Sequence, residues 1–242
     1  MRLAILGGGR AAWAFGSTWK RMGWPIDGVW LRAESGSQLA DLLAVPRKAI
    51  GDLDAELLLI AVSDRAIDEV AALIPHDTGA IIFHASGSLP AVRGGFSLHP
   101  LRALPPLGSP SDLRDALLVF EGNQHNVAKQ IADAAGARFA EIAAEGKARY
   151  HAGAVFGANY VAAMLDIGEE LIGVAGARDD LAALARSAVD NWAAHRDARR
   201  FTGPAARGDL AVIERHLAAL ADRPELAEIY RLLAARILAA RE

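Results

Sequence analysis

Short apolar runs alternate with stretches of helical periodicity through the first 144 residues. The runs at 3–6, 28–31, 57–62, 80–83, 96–98, 116–120 and 138–142 predict strands. Several are unbroken Leu, Ile, Val and Ala, as strands covered on both faces require. Helical patterns at 10–22, 37–43, 65–73 and 126–135 fall between them. That alternation predicts a parallel sheet with crossover helices. The Pro- and Gly-rich stretch 90–110 reads as a long functional loop holding a short strand.

From about Glu145 the texture changes: Ala, Leu and Arg dominate and no strand-like alternation remains. Four helices are predicted, at 145–174, 179–200, 209–221 and 224–240. Asp179 and Asp209 stand where N-caps belong, and Pro224 suits a first helical turn. The expected organisation is an α/β domain over 1–144 and an all-α domain over 145–242, with no linker between.

Composition narrows the function classes. The 242 residues carry a formal net charge of −3 and are 52% hydrophobic. No broad basic field is expected, so neither nucleic acid nor an anionic membrane is the expected main partner. The absence of cysteine excludes disulfides, thiolate zinc sites and a cysteine nucleophile, and suits a cytoplasmic setting. The first strand pattern starts at residue 2, which leaves no room for a signal peptide. The most apolar helical stretch, 152–165, is interrupted by Asn159 and too short to span a bilayer. The seven histidines show no metal-binding spacing, and Ser86 lies in no nucleophile elbow.

Gly7-Gly8-Gly9-Arg10-Ala11-Ala12 contains G-x-G-x-x-A between a predicted strand and a predicted helix. In a dinucleotide site Gly7 permits the tight turn, Gly9 admits a pyrophosphate and small Ala12 lets the helix pack. The helix start offers N–H groups and a positive dipole end to phosphates, so Gly7, Gly9, Arg10 and Ala11 are candidate cofactor contacts. The second strand ends at Arg32, where an NAD site places an acid. An arginine there can pair with the 2′-phosphate of NADP, although Glu34 is a rival ribose ligand. Ligands of such sheets bind beyond the carboxyl ends of strands, which adds Val62, Ser63, Asp64, Ser86 and His99. Asp64 also reads as the N-cap of the helix after it.

Taken together, certain residues resemble a known bacterial family. They are Gly7-x-Gly9-Arg10, His84-x-Ser86-Gly87, Ser97-Leu98-His99-Pro100-Leu101, Tyr150-His151-Ala152, Asn159 and Thr202-Gly203-Pro204-x-x-Arg207-Gly208-Asp209. That family joins a Rossmann domain to a helical half, the domain of unknown function 2520. It looks like a branch of the 6-phosphogluconate dehydrogenase and pyrroline-5-carboxylate reductase superfamily. The resemblance spans nearly the whole chain. It implies an NADP(H)-dependent oxidoreductase with an all-α domain of the 6-phosphogluconate dehydrogenase C-terminal type, which dimerises and closes over the nicotinamide. It implies no particular substrate. Ketopantoate and hydroxyisobutyrate-type relatives carry a lysine one turn before an asparagine, whereas here Val155 precedes Asn159.

With that lysine missing, other residues of the first long helix come forward. At about 100° per residue, His151 and Asn159 lie within roughly 80° of each other. Histidine can donate a proton to a carbonyl or imine as hydride arrives, and Lys147 is the second candidate acid. Tyr150, Gly153, Gly157, Tyr160 and Met164 form the other face, expected to pack on a helix of this chain or of a homodimer partner. Thr202 and Arg207 fall in a predicted interhelical loop, as substrate ligands or as structural neighbours of a cap at Asp209. The leading reading is hydride transfer between NADP(H) and a small carbonyl or imine compound. Its rival is a catalytically inactive NADP(H) sensor, favoured by the missing lysine.

Overall fold

The structure, a computed structural model, describes residues 1–32 and 38–240. The chain divides into two compact units, Met1–Asn159 and Tyr160–Glu242.

The first unit is built on a seven-stranded sheet: β1 (Leu3–Leu6), β2 (Ile26–Trp30), β3 (Leu57–Ile60), β4 (Ile81–His84), β5 (Phe96–Leu101), β6 (Leu117–Gly122) and β7 (Arg138–Glu141). Each of the seven apolar runs forms a strand, in the order β2-β1-β3-β4-β5-β6-β7. The expectation of a parallel sheet needs one correction: β5 and β6 pair antiparallel, from Phe96↔Gly122 to Leu101↔Leu117. Hydrophobic pattern encodes burial but not strand direction, and no helix separates these two strands to force a crossover.

Four helices serve this sheet: α1 (Arg10–Arg21), α2 (Gln38–Leu43), α3 (Ile67–Leu73) and α4 (His125–Ala135). Successive strand residues point to opposite faces. Leu3, Ile5, Leu57 and Leu59 therefore join Ala12, Phe15 and Trp19 of α1 and Ala128 and Ile131 of α4 in one core. Ala4, Leu6, Leu58 and Ile60 join Ile67, Val70 and Ala71 of α3 in the other. Phe83, Phe96 and Phe120 carry an aromatic ladder across β4, β5 and β6, the first pair stacked at 4.9 Å. Such rings bury large apolar areas and fix strand spacing through their shape.

A further helix, α5 (Lys147–Gly157), belongs to this first unit. The long helix predicted at 145–174 is in fact two, because the backbone leaves the helical region at Ala158 (φ −131°, ψ −72°) before α6 (Asn159–Ile172) begins. No proline marks the break; the residue before it is Gly157, a weaker signal that helices tolerate.

The second unit continues with α7 (Arg178–Ala194), α8 (Gly203–Arg207), α9 (Leu210–Ala219) and α10 (Pro224–Ala239). Helix α7 starts one residue before Asp179, which lies in the first turn and does not cap it. Asp209 does cap α9, accepting from the Val212 amide at 3.2 Å. The loop expected around 202–209 contains α8, started by Pro204 and stopped by Gly208 at φ +75°. Both flanking signals were in the sequence; the segment was too short to show periodicity. Ala205, Ile213 and Ala234 form the core of α8, α9 and α10. Among the described residues of α6 and α7, none is buried.

Candidate active site

The turn from β1 into α1 has the form the glycine spacing predicts. Gly7 sits at φ +126°, and a Cβ there would lie 2.2 Å from the Ala61 carbonyl oxygen. Both conformation and space therefore demand glycine. Gly9 differs: a Cβ there would meet nothing within 4 Å. Its missing side chain opens onto free space at the head of α1. No side chain caps that helix, and no acid lies in its first turn. Free N–H groups, a positive dipole end and open space fit a pyrophosphate. Arg10 is exposed at the same end.

Across the strand ends lies a cavity of about 240 Å³, lined among others by Ala11, Val62, Asp64, Ser86, His99 and Arg102. The Asp64 side chain caps neither the 3-10 turn it opens nor α3, so the capping expectation fails. Ser63 is exposed beside it. Arg32, at the end of β2, pairs with Glu69 at 2.7 Å, both largely exposed. Such a pair is worth little in water and leaves the guanidinium exchangeable. Glu34 lies outside the described residues.

Beyond the cavity, three segments converge on Gly87. A Cβ on this residue would stand 2.8 Å from Cδ2 of His151 and 3.0 Å from Nε2 of His99. Glycine here makes room for two imidazoles. The rings of His99 and His151 meet edge to face at 5.7 Å, and Tyr150 meets His99 likewise at 5.5 Å. His99 Nδ1 is 2.7 Å from the Tyr150 hydroxyl. Burial first, then the charges of His151 and Lys147, pushes the His99 pKa down to about 4, against a small opposing pull from Asp64. Burial raises the Tyr150 phenol to about 12.

The turn after β4 is held by His84 and Ser86. His84 is buried, which lowers its pKa, with Nε2 2.9 Å from the Pro90 carbonyl. Its Nδ1 accepts from the Ser86 amide at 3.2 Å, so the neutral ring donates from Nε2. The Ser86 hydroxyl accepts from the amides of Ser88 and Leu89. Ser86 thus faces the cavity while its hydroxyl braces the turn.

Lys147 opens α5 and is 1% exposed. Its ammonium donates to the Ser86 carbonyl at 3.1 Å and the Ser97 hydroxyl at 2.5 Å. Ser97 Oγ donates in turn to buried Glu121, which also accepts from the Ala91 amide. Burial lowers the Lys147 pKa, opposed by Glu121 and Asp64. This chain of bonds ties α5 to β5, β6 and the turn at Ser86. The candidate acid is therefore already committed to protein acceptors.

The structure brings Ser86, His99, Lys147 and His151 together, and adds Gly87, Ser97, Glu121 and Tyr150. Tyr150 was expected on the packing face; its bond to His99 puts it in the site. The rotation argument joining Asn159 to His151 fails across the break at Ala158, and Asn159 is exposed at the start of α6. Thr202 and Arg207 belong to the second unit, at the N-cap and last turn of α8. The motifs H-x-S-G, S-x-H-P and Y-H-A carried the signal for Gly87, Ser97 and Tyr150, while Glu121 lay in none of them. Among the described residues, no group of three or more His, Cys, Asp or Glu could hold a metal ion. Among the described residues, no helix is long and apolar enough to cross a membrane.

Comparison with known proteins adds a family and a fold. Residues 117–237 match the family model described as "Domain of unknown function (DUF2520)". No curated protein matches the chain. Among solved structures, a "putative NADP oxidoreductase" from Bacteroides fragilis superposes with a TM-score of 0.83 at 23% identity, covering 98% of each chain. A Thermotoga maritima protein gives 0.77 at 23% identity, over 99% of this chain and 98% of its own. A reductive aminase from Aspergillus terreus, solved with NADPH and ethyl levulinate, gives 0.67 at 17%, over 99% and 93%. At these identities the likeness establishes the fold: a Rossmann-type domain followed by a helical one.

Proposed function

The chain belongs to the DUF2520 family, and from that premise we propose that it is an NADP(H)-dependent oxidoreductase acting on a small carbonyl or imine compound. The observation that carries this reading is the continuity of the site. Open space at Gly9 lies at the head of α1, and Ala11 of the same turn lines a cavity with Val62, Asp64, Ser86 and the imidazole of His99. A dinucleotide fits that path with its phosphates at the head of α1. When bound, it supplies or accepts a hydride. Arg10 and Arg32 are the proposed phosphate ligands, and Val62, Ser63, Asp64 and Ser86 the wall beside the nicotinamide. His151 is the proposed proton donor, while Lys147 positions α5 and the Ser86 turn. Asn159, Thr202 and Arg207 remain proposed substrate-side contacts. Titration with NADPH, followed by its consumption against small keto acids, aldehydes and imines, tests the reading. Binding without any turnover would favour a sensor instead.

Cofactor choice has its own test. If Arg32 exchanges Glu69 for the 2′-phosphate, Arg32→Asp weakens NADPH binding by about 10- to 100-fold, the worth of a charge-assisted pair. NADH binding should change little. Equal losses on both cofactors, in fluorescence titrations, would remove the assignment.

The second unit supports a homodimer. Helices α6 and α7 bury no residue in the single chain, and Leu184, Trp192 and Leu232 are 65%, 55% and 62% exposed. Apolar surface on this scale calls for cover, and a second copy with the same faces supplies it. Sedimentation at micromolar concentration should return the mass of two chains. A clean monomer would exclude this arrangement.

A further inference from the structure

The proposed function leaves two substrate chemistries open, carbonyl and imine. Resting on that function, the geometry points to one: His99 presents its Nε2–H as a hydrogen-bond donor to a carbonyl oxygen, and the site reduces an aldehyde or ketone rather than a protonated imine.

The tautomer follows from Tyr150. Its hydroxyl lies 2.7 Å from His99 Nδ1, and no other acceptor for the phenol occurs among the hydrogen bonds of the described residues. Burial keeps the phenol protonated, and with Nδ1 as its one partner among those bonds it donates there. Nδ1 is then the acceptor, and the ring hydrogen sits on Nε2. That nitrogen takes part in no hydrogen bond of the described residues, yet it stands beside Gly87 on a ring that lines the cavity. With its pKa near 4, the ring is neutral at neutral pH. It can polarise an oxygen but holds no surplus proton to give.

A carbonyl oxygen has two lone pairs for such a donor. A protonated imine has only N–H at the same place, so donor would face donor. The positive charge of buried Lys147, felt by His99 although Glu121 offsets part of it, also disfavours a cationic substrate. Asp64 pulls the other way, but it is exposed and screened by water. In the reduction the carbonyl carbon gains a hydride and the π pair moves to oxygen. That oxygen takes one proton from His151 or solvent, and the co-reactant, a reduced nicotinamide, is left oxidised.

Two measurements test the inference. In the full chain with ¹⁵N-labelled histidine, NMR should show His99 protonated at Nε2 and bare at Nδ1, its signals identified by their loss in His99→Gln. Tyr150→Phe should release the preference into a mixture of tautomers. An Nδ1–H tautomer in the unaltered chain overturns the inference, whatever the protein's activity. In the second, the NADPH-loaded chain is offered ketones and aldehydes beside cyclic imines of equal size kept protonated. Carbonyls should be favoured at least 10-fold in kcat/KM, and His99→Leu should lose roughly 10- to 100-fold on them, the cost of one unmet hydrogen bond. His99→Gln, which keeps an N–H, should recover part of that loss. Preference for imines overturns the inference, as does consumption of neither substrate while NADPH binds. Failure to bind NADPH would instead sink the oxidoreductase reading itself, and this inference with it.

Discussion

Replacing His151 by Asn should leave NADPH affinity nearly unchanged and lower turnover by roughly 100- to 10,000-fold, the usual contribution of a positioned acid or base. The phosphates are expected at the glycine turn, on residues that do not touch His151, so binding and chemistry should separate. His151 is half-buried on α5, and its ring shares the space beside Gly87 with His99. His99 is held neutral and Lys147 is already bonded to two acceptors, which leaves His151 as the better proton source. Steady-state rates on the substrate found, with NADPH titrations of both proteins, make the comparison. An undiminished rate would pass the role to solvent, with hydride positioning as the protein's main contribution.

The second large effect concerns stability. Lys147→Met should destabilise the sheet-bearing unit by about 3–5 kcal/mol, the cost of removing one partner of a buried charged network. Glu121, 6% exposed, would keep its bonds to Ser97 and the Ala91 amide but lose the cation beyond them. The double variant Lys147→Met/Glu121→Gln should regain at least half of the loss, because no uncompensated charge remains. Urea unfolding of the four proteins in the cycle measures the coupling. Additive losses would mean that Lys147 and Glu121 act independently. This result also decides how kinetics at position 147 are read: a fall in rate there reports a displaced α5 before it reports a lost acid.

Much of this architecture was legible in the chain. Apolar runs marked every strand of the sheet, and several were unbroken because burial on both faces leaves little choice of residue. Gly7 was readable for the same kind of reason: its φ of +126° and the carbonyl at Ala61 admit nothing else. The direction of β6 was not legible, since a buried strand looks alike run either way. Nor was the bend at Ala158, which lies in an apolar stretch without proline. The site suffered from that bend, because a rotation carried along one straight helix joined Asn159 to His151 across it. The pairing of His99 with Tyr150 joins positions 51 residues apart, beyond any local pattern. Lys147 was legible as a polar residue near the site but not as a buried one, since lysines are almost never fully buried.

The bare faces of α6 and α7 have a consequence for handling the protein. With a second copy as their proposed cover, part of the free energy of the helical unit comes from association, and association obeys mass action. Each tenfold dilution then removes about 1.4 kcal/mol per dimer. Dilution would act on this unit as a mild denaturant, while the sheet-bearing unit, with its two internal cores, would be indifferent to it.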